Sequence, residues 1–281
     1  QYRRRFAAIG RCLPAPYLYS TYNSGMGFLF RPKELPRPAS LTFTLDQAGH
    51  TYDDGHVGLA PTDITISELR VAVIGLNGAG KSTLLGLLDG SLKANAGTVT
   101  IAGGEERLDP AVKKDAKRID NLVGKVRREE IPNSFYQAAN ISEAVSEALK
   151  KHKVPESERH ARIGNLFAHF DLAQVSKAKA SELDSEKRHL LAIAAALSFE
   201  PSAIVADEPS KGTAHVAKAL FSYNKQVIFA THDTDMIRRP EYAIDRVLVL
   251  DEHAVAFDGA PAEAVAFYED LIRRKYEAAK R

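Results

Sequence analysis

The chain has a single cysteine, Cys12, among 281 residues. One cysteine excludes an intramolecular disulfide and argues against a cysteine-based metal site, so a reducing compartment fits. No apolar run approaches membrane-spanning length, so any membrane role has to pass through a partner. Charge of one sign is also missing. Lys plus Arg is 38 against 36 for Asp plus Glu, a formal net charge of +2. A broad nucleic-acid footprint needs far more positive charge than that, and no nucleic acid is expected as a partner. Internal repeats and low-complexity tracts are absent as well.

What is present is ordinary for a globular protein with a sizeable core, with 44% hydrophobic and 26% charged residues. Three units are legible. Residues 1–40 read as an N-terminal extension, in which Pro14, Pro16, Pro32, Pro36 and Pro38 discourage regular structure. Arg3-Arg4-Arg5 with Arg11, in an acid-poor stretch, allows a targeting segment as the other reading. Residues 41 to about 110 read mainly as strands around one short helix. Leu41, Phe43 and Leu45 alternate with polar residues, Val71–Ile74 is a short apolar run, and Ser82–Leu92 reads as the helix. Residues from about 111 to 190 are charged and helical in pattern, and look inserted. Strands then return at Ala203–Ala206, Val227–Ala230 and Val247–Leu250, which with the intervening helices argues for an α/β fold and a parallel sheet. Pro261–Arg281 has the spacing of a surface helix.

Chemistry is carried first by Gly75-x-x-x-x-Gly80-Lys81-Ser82. A strand precedes this phosphate-binding pattern and a helix follows it. Glycines let the backbone curl so that the N–H groups across Asn77, Gly78, Ala79, Gly80, Lys81, Ser82 and Thr83 point inward, and the helix start adds a positive dipole end. Lys81 is expected on the β- and γ-phosphates and Ser82 on Mg²⁺. A second element, Ala203-Ile204-Val205-Ala206-Asp207-Glu208, ends an apolar strand in two acids. Asp207 suits Mg²⁺ and Glu208 suits a general base for the attacking water. His232, after the strand Val227–Ala230, can hydrogen-bond the γ-phosphate and the water. Tyr52, upstream, offers a ring to stack on a purine.

In this order, Tyr52, the phosphate loop, Asp207-Glu208-Pro209 and His232 resemble an ABC-type ATPase subunit, from about Leu41 to Glu269. Ser67–Gly75, Ile228–Asp233 and Asp245–Asp251 look most like the biotin-type member of the energy-coupling-factor transporters, importers of vitamins and metal ions. The resemblance implies one ATPase domain over 41–281. Its fold would be a P-loop NTPase core with a mostly parallel sheet, an antiparallel β subdomain and an inserted helical subdomain. It also implies ATP and Mg²⁺ as cofactors, and hydrolysis coupled to transport. Partners would be a second ATPase subunit, identical or paralogous, and membrane-embedded subunits under which the chain docks on the cytoplasmic side.

Three stretches depart from that family. Its Leu-Ser-Gly-Gly-Gln signature is Leu183-Asp184-Ser185-Glu186-Lys187 here, with the glycines absent and two acids present. Like charges a few Å from a phosphate oppose it by roughly 1–4 kcal/mol. Arg128 or Glu130 stands where a Gln is usual, and Ser210–His215 lacks the family's Asp. The half-site that holds the chain's own ATP is therefore expected to be intact and the half-site for a neighbour's ATP degraded. The alternative function is a catalytically degenerate ATP-binding module in a heterodimer. A single cassette with a short helical block argues against a ribosome- or DNA-directed ATPase, and the position of His232 against a kinase.

Overall fold

The computed structural model describes residues 40–280 apart from 128–130 and 211–212. The N-terminal extension and the Arg128 and Glu130 positions lie outside the described residues.

Two sheets organise the described residues. The first is antiparallel and four-stranded, in the order β2-β1-β4-β5, from β1 (Thr42–Thr51), β2 (Val57–Ile66), β4 (Ala96–Gly103) and β5 (Glu106–Leu108). The alternation in β1 buries Phe43 and Leu45 and leaves Thr42 and Thr44 part-exposed, as a strand covered on one face requires. The second sheet has the order β10-β9-β3-β8-β7-β6. Its members are β3 (Arg70–Gly75), β6 (Val123–Val126), β7 (Ala203–Asp207), β8 (Gln226–Ala230), β9 (Arg246–Asp251) and β10 (Ala254–Gly259). All neighbours pair in parallel except β10, which returns antiparallel from β9 through a tight hairpin.

The central strands are apolar without alternation because both faces are covered. Val71, Val73, Val205, Ile228 and Leu248 join a core with α1 (Lys81–Leu88) and the antiparallel sheet. Ala72, Ile74, Ile204, Phe229 and Val249 join a second core on the opposite face. That core is completed by α4 (Ile141–Lys151), α5 (Glu156–His169), α6 (Ser185–Leu197), α7 (Ala214–Ser222), α8 (Thr234–Arg238) and α9 (Pro261–Ala279). The short α2 (Lys113–Leu122) and α3 (Asn133–Gln137) flank β6. Val265, Tyr268 and Leu271 turn inward from α9, while Ile272 and Tyr276 stay exposed.

The block read as helical from about 111 to 190 contains a strand of the main sheet, β6. Four residues are too few to display a period of two against the charged helices around them. Helix α6 starts at Ser185 because the Asp184 carboxylate accepts the Lys187 N–H and caps it. No helix among the described residues is long and apolar enough to cross a membrane.

Candidate nucleotide site

Parallel strand order brings the C-terminal ends of β3, β7 and β8 side by side, and the residues following each end share one cavity. This is the end of such a sheet at which ligands bind. The cavity holds about 200 Å³.

The phosphate loop leaves β3 at Gly75 and enters α1 at Lys81. Gly78 and Gly80 have φ of 80° and 101°, a region L-residues rarely adopt. At Gly80 a Cβ would also lie 2.6 Å from the carbonyl oxygen of Gly58, so the antiparallel sheet presses on the loop there. Lys81 is buried. Its Nζ donates to the carbonyls of Gly75 (2.8 Å) and Leu76 (2.9 Å), so its stem spans the loop and its charge lies at the loop's mouth.

Ser82 Oγ donates to Asp207 Oδ2 at 2.7 Å. A hydroxyl and a carboxylate oxygen from different elements, converging beside a phosphate loop, are the donors a hard cation such as Mg²⁺ takes. Glu208 follows directly, with its backbone in the left-handed region (φ 49°) and its N–H bonded to the Ala230 carbonyl at 3.0 Å. That twist carries its carboxylate to 3.4 Å from Nε2 of His232. The Glu208 side chain is only 11% exposed and that of His232 38%, so the acid sits inside and the imidazole at the lip. Asp233 caps α8, which fixes the backbone just past His232.

Tyr52 also lines the cavity, its hydroxyl 3.0 Å from Thr83 Oγ1. Tyr52, Asn77, Gly78, Gly80, Lys81, Ser82, Thr83, Asp207, Glu208 and His232 all line the cavity. Ala79 does not: its side chain is buried and its N–H bonds back to the Leu76 carbonyl at 3.1 Å. Three lining residues have no counterpart in the sequence reading: His56, Gly58 and His253. His56 lies four residues from Tyr52 and was within reach of inspection. His253 sits in the β9–β10 hairpin, 172 residues beyond Lys81, and carries no local signal.

The altered signature lies at the start of α6. Asp184 is engaged by Lys187 through both N–H and Nζ, each at 2.8 Å. The Lys187 hydrogen bonds hold the Asp184 carboxyl below the usual carboxylate range. Glu186 Oε1 meets Nδ1 of His215 at 2.6 Å.

The ABC transporter family description matches residues 62–211. A Deinococcus radiodurans protein, provisionally named an ABC transporter ATP-binding protein, is 32% identical over 81% of this chain and 97% of its own length. The biotin transport ATP-binding protein BioM of Rhizobium etli is 27% identical over 82% of this chain and 99% of its own. Among solved structures, cbiO1 from Clostridium perfringens, part of the ABC transporter complex cbiONQ, is similar with a TM-score of 0.66 and 27% identity. That match covers 84% of this chain and 94% of cbiO1. On the family match and the 32% relative, this chain belongs to the ABC transporters as an ATP-binding subunit.

Proposed function

We propose that the chain binds ATP with Mg²⁺ and hydrolyses it to drive a membrane transporter of the energy-coupling-factor type, importing a vitamin or a metal ion. The carrying observation is the single cavity in which the Ser82–Asp207 pair, buried Lys81 and the Glu208–His232 pair meet. The loop amides and Lys81 hold and neutralise the phosphates. Ser82 and Asp207 would hold the cation, which would supply positive charge against the phosphates. Glu208 takes a proton from the attacking water as the bond from the γ-phosphorus to the bridging oxygen breaks. His232 steadies Glu208 and donates toward the γ-phosphate. Tyr52 stacks on the purine. The partners are a second ATPase subunit and membrane-embedded subunits, with this chain peripheral on the cytoplasmic face. The relatives named for biotin transport and for cbiONQ support the importer type.

The test is steady-state ATP hydrolysis beside Glu208→Gln, with ATP binding measured on both. The variant should keep binding and lose about 10²- to 10⁴-fold in kcat, the range for a general base. Equal turnover in the two proteins would remove Glu208 from the mechanism.

A second reading has an observation of its own. The α6 N-terminus, where the family receives a neighbour's γ-phosphate, is already capped by the chain's own Asp184 carboxylate, with Glu186 in its first turn. This favours a heterodimer with a better-equipped paralogue, in which one composite site turns over ATP and the other is dead. Equal turnover at both sites would exclude it.

A further inference from the structure

Apart from His160, which is exposed on α5 and does not line the nucleotide cavity, the histidines divide into two groups. His50, His152, His169, His189, His215 and His232 each engage a protein partner through a ring nitrogen. His56 and His253 engage none among the described residues, although both line the nucleotide cavity. Nδ1 of His253 is buried without a hydrogen-bond partner, so Nε2 is the nitrogen left to meet a ligand.

Ring geometry places the two beside Tyr52, the ring proposed to stack on the purine. The His56 ring lies within 20° of the plane of Tyr52 at 6.2 Å between centroids. The His253 ring stands at 88° to His56, 5.1 Å away. The Tyr52 and His56 rings are therefore stacked and nearly parallel, and the His253 ring stands upright beside them. A heterocycle stacked parallel to those rings turns its edge, or the attached ribose, toward His253.

His253 is also held in place from behind. Glu252 and His253 are consecutive left-handed residues (φ 47° and 65°), the conformation a two-residue hairpin turn needs and Gly or Asn usually supplies. The His253 carbonyl accepts the Ala60 N–H at 2.8 Å, and Lys275 of α9 bonds Asp251 at 2.6 Å. A large side chain kept in a backbone conformation that disfavours it, and aimed into a ligand cavity, marks a functional position rather than a turn filler.

We propose that His253, seconded by His56, binds the nucleoside part of the triphosphate, with Nε2 of His253 making a hydrogen bond to the base edge or ribose. The inference deepens the ATP-binding reading and rests on it.

The test is calorimetric titration of the whole chain with ATP and, separately, with inorganic tripolyphosphate. His253→Gly removes the ring and suits the left-handed backbone, and His253→Asn tolerates the same backbone if glycine loosens the hairpin. Both should weaken ATP about three- to tenfold, the range for one neutral hydrogen bond, and leave tripolyphosphate unchanged. His56→Ala should act in the same direction. Unchanged ATP affinity in both His253 variants, or an equal loss for tripolyphosphate, overturns the inference and leaves the ATP reading standing. A wild-type chain that binds tripolyphosphate but not ATP removes both.

Discussion

Gly78 and Gly80 allow one physical term in the phosphate loop to be isolated. Both have positive φ, so alanine at either position carries the same left-handed penalty, about 1–2 kcal/mol. Both replacements also stiffen the unfolded chain equally, an offset of about 0.4–1 kcal/mol that cancels between them. The surroundings differ. A Cβ on Gly78 meets nothing within 4 Å, whereas one on Gly80 lies 2.6 Å from the Gly58 carbonyl oxygen. That oxygen belongs to the backbone of β2 and cannot swing aside like a side chain. Moving the loop or the strand costs about 1–3 kcal/mol more, the range for overpacking. A loop relaxed away from the strand has to be pulled back before its amides can hold phosphate. Gly80→Ala should therefore bind ATP at least about fivefold more weakly than Gly78→Ala, at roughly 1.4 kcal/mol per tenfold. Calorimetric ATP titration of both, with melting temperatures to check folding, measures the difference. Equal affinities would refute the idea that contact with β2, and not φ alone, requires glycine at position 80.

Arg127→Met should destabilise the domain by about 1–3 kcal/mol, because Arg127 Nη2 lies 2.8 Å from Oδ2 of the fully buried Asp89. Adding Asp89→Asn should recover part of the lost melting temperature. Burial also pushes His152, stacked on Phe199 with 3.7 Å between centroids, below the ordinary histidine value. Its neutral form is the one the fold prefers, so its stability contribution is present above pH ~6.5 and lost as pH falls through the folded pKa. The melting-temperature gap between wild type and His152→Asn should shrink from pH 7 to pH 5, and a constant gap would rule that out. Asp207→Asn should abolish most of the gain in ATP affinity that added Mg²⁺ brings, while affinity measured in chelator stays near wild type.

Much of the site was legible because its elements are local. Gly75–Thr83 announces strand, loop and helix within nine residues, and Asp207-Glu208 and His232 each end a short apolar strand. Knowing that parallel strands share an end was then enough to bring them together. The rest depends on distant pairing. Strand β6 is four residues long and is defined by its parallel register with β7, Val123 beside Ala203. His253 reaches the cavity only because β9 lies next to β3 and its hairpin curls back over the loop. The signature acids read from sequence as bare charges. In the structure Asp184 caps α6 and Glu186 holds His215, so their charge is already partly answered within the chain.

The order of strands in the main sheet also sets when the site can exist during synthesis. Strand β3, which carries the phosphate loop, is flanked by β8 and β9, whose first residues, Gln226 and Arg246, are made more than 150 positions later. At a ribosomal pace of about 5–20 residues per second, β3 waits on the order of ten seconds or more with both edges unpaired. An apolar, fully buried strand with two open edges is the kind of segment that pairs with a neighbouring nascent chain. The cassette should therefore mature late and all at once, and a chain cut short before β8 should be recovered as aggregate rather than as a smaller nucleotide-binding fragment.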